Sequence, residues 1–162
     1  MKFILPLLIG LVTTSQLLRS ADINQAKGDP ASLEQQPILP FKLSAEGMEL
    51  TMEIGDDGIL SVNKKEVGKL SGDGILFDKN SRELARLKPD GMAVTKDGNP
   101  LGQVHPNGDL DIAPDNKFTW DNGSMKLDDK GPWIELVPNE PAARRWASFL
   151  ILVYFTGVPQ QP

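Results

Sequence analysis

The stretch DGILSVNKKEVGKLSG (residues 57–72) decides the fold, because the chain goes on to repeat its pattern. DGILFDKNSRELARLKP (73–89) and DGMAVTKDGNPLGQVHP (90–106) follow directly, and Asn-Gly pairs at 107–108 and 122–123 continue the series. The glycines of these pairs recur every 15 to 17 residues. Asp-Gly and Asn-Gly supply the positive φ that type I′ turns require, so each pair predicts a reversal between two β-strands.

A second turn falls near the middle of the repeated units, at residues 63–65, 79–81, 97–99 and 114–116. Between the turns apolar and polar side chains alternate, most regularly in MELTMEI at 48–54. A period of two indicates a strand with one buried face and one face in water. Residues 41–138 are therefore predicted to form an all-β domain of about twelve short hairpin strands, an antiparallel meander that is rolled or barrel-like.

The first 20 residues are typical of a signal peptide. Lys2 precedes an apolar run at 3–12, which is too short to span a bilayer because a spanning helix needs about 20 apolar residues. We therefore expect export to the periplasm or the cell surface, with a buried N-terminal helix as the alternative. Residues 21–40 are polar and contain three prolines, a composition that favours a flexible linker.

The C-terminal segment 139–157 has a different pattern, and we expect an apolar helix there. Asn139 is suited to cap the helix and Gly157 to end it. Residues 149–155 are apolar on every side but too few to cross a membrane. Burial against the apolar face of the sheet is the favoured interpretation. The alternatives are a strand, or a helix on a lipid surface or a partner with the arginine pair 144–145 facing anionic headgroups.

Composition and charge exclude several classes of function. There are 17 Lys and Arg against 22 Asp and Glu, a formal net charge of −5. This disfavours nucleic acid as a partner, because affinity for phosphates comes mainly from cationic side chains. The chain has no cysteine, which excludes disulfides, thiolate metal sites and cysteine nucleophiles. No glycine-rich phosphate loop follows a predicted strand and opens a helix.

The one histidine, His105, stands in Val-His-Pro-Asn-Gly, where we expect a solvated turn residue. A catalytic base needs an orienting carboxylate and a nucleophile, and no G-x-S-x-G motif provides one. The acids fall in Asp-Gly turns or on polar strand faces, which should keep them solvated, unlike the desolvated carboxyl pair of a glycosidase. The chain is therefore predicted not to be an enzyme and to have no catalytic or cofactor-binding residue.

Two acidic stretches have some features of calcium loops, residues 78–80 and the alternating Asn107, Asp109 and Asp111. Both lack the glycine and the final glutamate of an EF-hand, and turn chemistry explains their acids, so no metal-binding residue is predicted. The three tryptophans, Trp120, Trp133 and Trp146, fall at core-facing or helix positions. Packing therefore explains them better than a sugar-stacking platform does.

Four segments stand out together: FKLSAEGMELTMEIGDDG (41–58), EVGKLSGDG (66–74), ELARLKPDGMAVTKDGNPLGQV (83–104) and PAARRWASFLILV (141–153). In this combination they resemble a group of uncharacterised exported proteins and lipoproteins of myxobacterial type. The resemblance covers roughly residues 38–155 and implies no known activity or functional residues. Members of the group carry a lipobox cysteine after the signal peptide, which this chain lacks.

We expect an exported, non-enzymatic structural or interaction module of the cell envelope. It would bind an envelope protein or a glycan through sheet edges and turn-rich surfaces, with membrane-surface contact through the C-terminal helix as a further option. The alternative is a small-molecule or glycan-binding β-barrel closed by that helix. A ligand-sized interior cavity with converging polar groups would favour the alternative, and a solid apolar interior would favour the module.

Overall fold

The computed structural model describes residues 37–113, 116–126 and 133–156. The predicted signal peptide, residues 21–36 of the predicted linker and the predicted helix stop at Gly157 lie outside the described residues. The strands are β1 (Phe41–Ala45), β2 (Leu50–Ile54), β3 (Ile59–Val62), β4 (Lys65–Leu70), β5 (Ile75–Asp78), β6 (Glu83–Leu87), β7 (Met92–Thr95), β8 (Pro100–Val104), β9 (Leu110–Ala113), β10 (Asn116–Phe118), β11 (Trp120–Asp121), β12 (Ser124–Lys126) and β13 (Trp133–Val137). One helix, α1 (Pro141–Phe155), follows them.

All these strands belong to one sheet, in the order β10-β9-β8-β7-β6-β5-β4-β3-β2-β1-β13-β12-β11. Neighbours along the chain pair antiparallel from β1 to β10, and β13 returns to pair with β1, placing Leu43 opposite Leu136. The predicted antiparallel meander is therefore confirmed. It has thirteen described strands and not about twelve, since one extended stretch is divided at Thr119.

That stretch, residues 116–121, brings the two ends of the sheet together, and we call it the seam. Its first half, β10, pairs with β9, and its second half, β11, pairs with β12. Only Thr119 separates the halves. Because a single run of chain pairs with both ends, the sheet rolls into a nearly closed barrel.

Helix α1 lies inside this barrel. Every residue from 145 to 153 is at most 3% exposed, and a helix that is buried on all sides must be enclosed by its surroundings. One apolar cluster joins α1 to inward side chains from distant parts of the sheet, among them Leu43, Leu70, Leu87 and Leu110. The expected burial of the helix is confirmed. The helix was expected to pack on one face of the sheet, but it fills the interior of the barrel.

The Asp-Gly pairs occur at chain reversals, but they are not the type I′ turns that the pattern predicted. At 55–58, 71–74, 88–91 and 105–108 the N–H of the last residue donates to the carbonyl oxygen three residues earlier. Only the glycine has a positive φ in these turns, which describes a type I turn followed by a left-handed residue. Type I′ geometry, with two positive φ values, occurs at Asn122-Gly123, where the prediction is confirmed, and at residues 63–64, one of the predicted mid-unit turns.

The start of α1 also differs from the expectation by one residue. Glu140 is the N-cap and makes no side-chain cap hydrogen bond, while Pro141 opens the helix. Asn139, the predicted cap, instead accepts a hydrogen bond from Nε of Arg144 at 2.6 Å through Oδ1. No helix in the described part of the chain is both long and apolar enough to cross a membrane.

Candidate functional site

An open cleft of about 470 Å³ lies on the outside of the barrel beside the seam. The turn at 105–108 forms one wall, and the seam forms the other. It contains the one histidine of the chain. The lining residues are His105, Pro106, Asn107, Asp109, Asp111, Lys117, Phe118 and Thr119. We call this feature the seam cleft.

Strand register brings the charged side chains of the seam cleft together. Asp111 lies opposite Gln103 on β8 and opposite Lys117 on β10, so the Asp111 and Lys117 side chains share the outer face of the sheet. His105 follows β8 directly, and its Nε2 lies 3.0 Å from Oδ2 of Asp111. Both side chains remain partly open to water, at 43% and 29% exposure.

Asp109 fastens the wall of the seam cleft to the seam. Its Oδ1 accepts a hydrogen bond from the backbone N–H of Trp120 at 3.1 Å. Its Oδ2 accepts another from Nδ2 of Asn107 at 2.7 Å, and its own N–H donates to Oδ1 of Asn107. Because β11 pairs only with β12 among the described strands, the carboxylate takes the place of a strand partner at Trp120.

A buried hydrogen-bond cluster ties the same turn to α1. Nε1 of Trp120 donates to the carbonyl oxygen of Gly108 at 3.0 Å and to Oγ of Ser148 at 2.8 Å. The Ser148 hydroxyl donates in turn to the Gly108 carbonyl. Seam, turn and helix therefore share one set of polar contacts inside the barrel, and the seam cleft rests on a fixed base.

The seam cleft supplies a carboxylate-paired imidazole, a lysine ammonium group and an exposed threonine hydroxyl. A carboxylate that orients an imidazole is one part of an acid–base catalyst. The second part, a nucleophile bonded to the imidazole, is not found among the described residues, since Asp111 is the one side chain hydrogen-bonded to His105. Charges of both signs on an open surface are suited to bind a polar partner.

His105 occupies the predicted turn, but its pairing with Asp111 was not predicted. The two residues are six positions apart and meet across the β8–β9 hairpin. The turn pattern predicts that hairpin, but the pairing of the two side chains depends on the register of its strands. A shift of one residue would move one of the two side chains to the opposite face of the sheet. The roles of Lys117 and Thr119 were missed for a similar reason, because they reach the seam cleft only when β10 pairs with β9.

Asp78, from the calcium-like stretch 78–80, has a structural role. It is only 8% exposed, which corrects the expectation that all the acids are solvated. Its Oδ1 accepts hydrogen bonds from the backbone N–H groups of Arg82 and Asn80 at 2.9 and 2.8 Å. The bond from Arg82 is the largest of the effects that hold the pKa of the Asp78 carboxyl below its usual value of 3.8.

Among the described residues, no three His, Asp or Glu side chains are grouped so as to hold a metal ion.

The three tryptophans do not share a surface. Trp120 and Trp146 are buried as expected. Trp133 was also expected to pack in the core but is 43% exposed, because it alternates with inward-facing Ile134 on β13. Nζ of Lys126 lies 5.8 Å from the Trp133 ring centre, within reach of a cation–π contact.

Among the described residues, the gap between α1 and the sheet leaves little room for a ligand. The gap lined by Leu43, Met52, Ile134, Ile151 and Phe155, among others, measures about 10 Å³. This volume is about that of one water-sized probe. Helix α1 therefore occupies the space that a ligand-binding barrel would leave open.

Comparison of the chain with models of protein families, with curated proteins and with solved structures gives no match.

Proposed function

We propose that this protein is an exported, non-enzymatic interaction module of the cell envelope, which binds a partner protein or glycan on its outer surface. The signal-like sequence at 1–20 and the polar stretch at 21–40 support export and a tethered domain. Within the described structure, the seam cleft is the surface we assign to partner binding.

The filling of the barrel by α1 is the observation that carries the proposal. The apolar residues of α1 from Trp146 to Val153 and the inward side chains of the strands form one cluster, and the gap beside them holds about 10 Å³. Pockets for small molecules typically measure about 300–1,000 Å³. Recognition is therefore assigned to the outside, where the seam cleft offers about 470 Å³.

The chemistry of the seam cleft supports a polar partner. Asp111 and Lys117 present charges of opposite sign beside His105 and the exposed Thr119. Complementary charges favour specificity and the rate of encounter more than they favour affinity. We therefore propose a selective contact of moderate strength. The alternative, a small-molecule or glycan-binding barrel, requires an interior cavity and so gains no support from this core.

The absence of cysteine from the chain allows a clean crosslinking test on the full-length protein. One variant carries T119C in the seam cleft. The matched control carries K96C, in an exposed turn one hairpin away and at the opposite end of the barrel. Each cysteine bears the same photo-activated crosslinker. Irradiation in envelope extracts of the native cells should give a defined product from T119C and none from K96C.

Competition decides whether that product is specific. Excess unmodified protein should suppress the product, whereas the D111N variant, which lacks the carboxylate of the pair, should suppress it less. Protease and glycosidase digestion of the product then separates a protein partner from a glycan. Equal products from the two positions, or equal competition by D111N and the unmodified protein, would contradict partner binding at the seam cleft.

A further inference from the structure

Arg145 is a largely buried cation whose Nε has no hydrogen-bond partner in the described part of the chain. It lies in the second turn of α1 and is only 3% exposed. Its Nε meets no hydrogen-bond acceptor, and within the described part of the chain no ion pair includes it. The next residue, Trp146, has a fully buried Nε1 that also meets no acceptor. Two consecutive residues of the helix therefore present buried donors that nothing in the described chain satisfies.

A buried charge of this kind requires an explanation. Burial lowers the pKa of the Arg145 guanidinium, yet arginine keeps its proton in proteins. An unpaired buried charge is strongly destabilising, and buried charges in proteins are normally paired or bound to an ion. An orphaned buried donor in a native structure is accordingly a sign of a bound water or ion.

The start of α1 adds further donors at the same place. Glu140 makes no side-chain cap hydrogen bond, and within the described residues no acceptor is found for the backbone N–H groups of Ala142 and Ala143. Helical side chains tilt toward the helix N-terminus, which directs Arg145 toward this first turn. The helix dipole places partial positive charge there as well, a combination that binds anions in many proteins.

The acids at this end of the barrel do not serve as the missing counter-ion. Oδ1 of Asp57 accepts from the N–H of Ile59, and Oδ1 of Asp90 accepts from the N–H of Met92. Asp109 is bound to the seam. These carboxylates stabilise their own turns. The donors of α1 are thus left for a group from outside the described chain.

We propose that the N-terminal end of α1 binds a small oxyanion, a carboxylate or a phosphate group, between the Arg145 guanidinium and the N–H groups of Ala142 and Ala143. The flat guanidinium matches two oxygens of such a group with two parallel N–H donors. This site is separate from the seam cleft and does not depend on partner binding there. The bound anion acts as the counter-ion of Arg145 and as the cap of the helix.

Thermal unfolding of the full-length protein tests the site. Sodium phosphate or sodium acetate replaces sodium chloride at constant ionic strength, so that screening by salt is the same throughout. The variant R145M removes the charge in an apolar shape that a buried position tolerates. The matched control R144M removes the neighbouring arginine, whose Nε is already bound to Asn139.

Phosphate or acetate should raise the unfolding temperature of the wild type and of R144M more than that of R145M, which keeps only the general stabilising effect of the salt. At about ten times its Kd, a ligand of the folded state raises the folding constant about elevenfold. The anion that gives the larger rise identifies the preferred group. An equal rise in R145M, or an equal loss in R144M, would overturn the assignment.

Calorimetric titration of the wild type keeps the test decisive even if R145M does not fold. One phosphate or acetate ion should bind per chain, and R145K should bind it more weakly, because an ammonium group lacks the two-pronged geometry. Absence of binding to the wild type by both anions would refute the proposal. This outcome would leave the crosslinking result at the seam cleft unaffected, so the two proposals can fail separately.

Discussion

Replacing Gly91 with alanine tests how closely neighbouring strands of the barrel approach each other. Gly91 has a φ of 86°, and a Cβ there would lie 2.2 Å from the carbonyl oxygen of Val104. The Gly91 carbonyl also accepts a hydrogen bond from the N–H of Val104 at 2.8 Å, so the strand cannot retreat without loss of that bond. Gly98 is the matched control, because its φ is 83° but a Cβ there would meet no atom within 4 Å.

Both substitutions lower the free energy of unfolding through the left-handed backbone, and G91A lowers it further through a steric clash. Alanine in the left-handed region costs about 1–2 kcal/mol at either position. At Gly91 the new carbon must also move about 1 Å farther from the Val104 oxygen to reach an ordinary contact distance. Loss of the buried hydrogen bond then adds about 1–3 kcal/mol. We expect G98A to lower the free energy of unfolding by about 1–2 kcal/mol and G91A by about 2–5 kcal/mol.

Urea unfolding followed by tryptophan fluorescence measures this difference, because Trp120 and Trp146 are buried in the folded protein. The comparison requires that both variants unfold with the same dependence on urea as the wild type. If G91A and G98A were destabilised equally, within about 0.5 kcal/mol, the close approach of β8 to the 88–91 turn would be refuted as the reason for glycine at position 91.

Three further predictions follow from the contacts described above. W120F should lower the free energy of unfolding by about 1–3 kcal/mol, since the buried Ser148 oxygen loses its donor and the Gly108 carbonyl keeps only the bond from Ser148. W133F on the outer face should change it by no more than about 1 kcal/mol, and equal effects in urea unfolding would contradict the role of the Trp120 cluster. Because the folded pKa of Asp78 lies below its usual 3.8, its ionised form stabilises the fold above that pH and this contribution is lost as pH falls further. The stability difference between wild type and D78N should therefore shrink between pH 7 and pH 3, and a constant difference would count against this contribution. Truncation at Asn139 should abolish the cooperative thermal transition, and a retained transition would show that α1 is not part of the core.

The local part of the fold was predictable from the sequence, because its determinants are close together along the chain. Each Asp-Gly or Asn-Gly pair acts within a few residues, and the alternation in MELTMEI predicts which face of β2 is buried. The pairing of β13 with β1 was not predictable in the same way. Leu43 pairs with Leu136 across more than 90 positions, and no local pattern specifies that register.

The candidate sites were less predictable than the fold. Sequence position identified His105 as a turn residue, but its pairing with Asp111 depends on the register of β8 and β9. The burial of Arg145 could not be predicted from its type, since charged side chains are rarely buried. Its burial follows from the enclosure of α1 by the whole sheet, which depends on long-range strand pairing such as that of β1 with β13.

The energetics of α1 explain why a small ligand could not take its place. Trp146, Phe149, Leu150, Ile151 and Leu152 are each at most 2% exposed. At about 1.5–3 kcal/mol for each large apolar side chain, their burial contributes on the order of 10 kcal/mol. The net stability of a whole domain is of similar size, about 5–15 kcal/mol. A barrel without the helix would therefore expose its inward faces and lose most of its stability, so the interior cannot open to admit a ligand while the protein stays folded. The partner binding proposed above therefore involves the outer surface, on which the seam cleft lies.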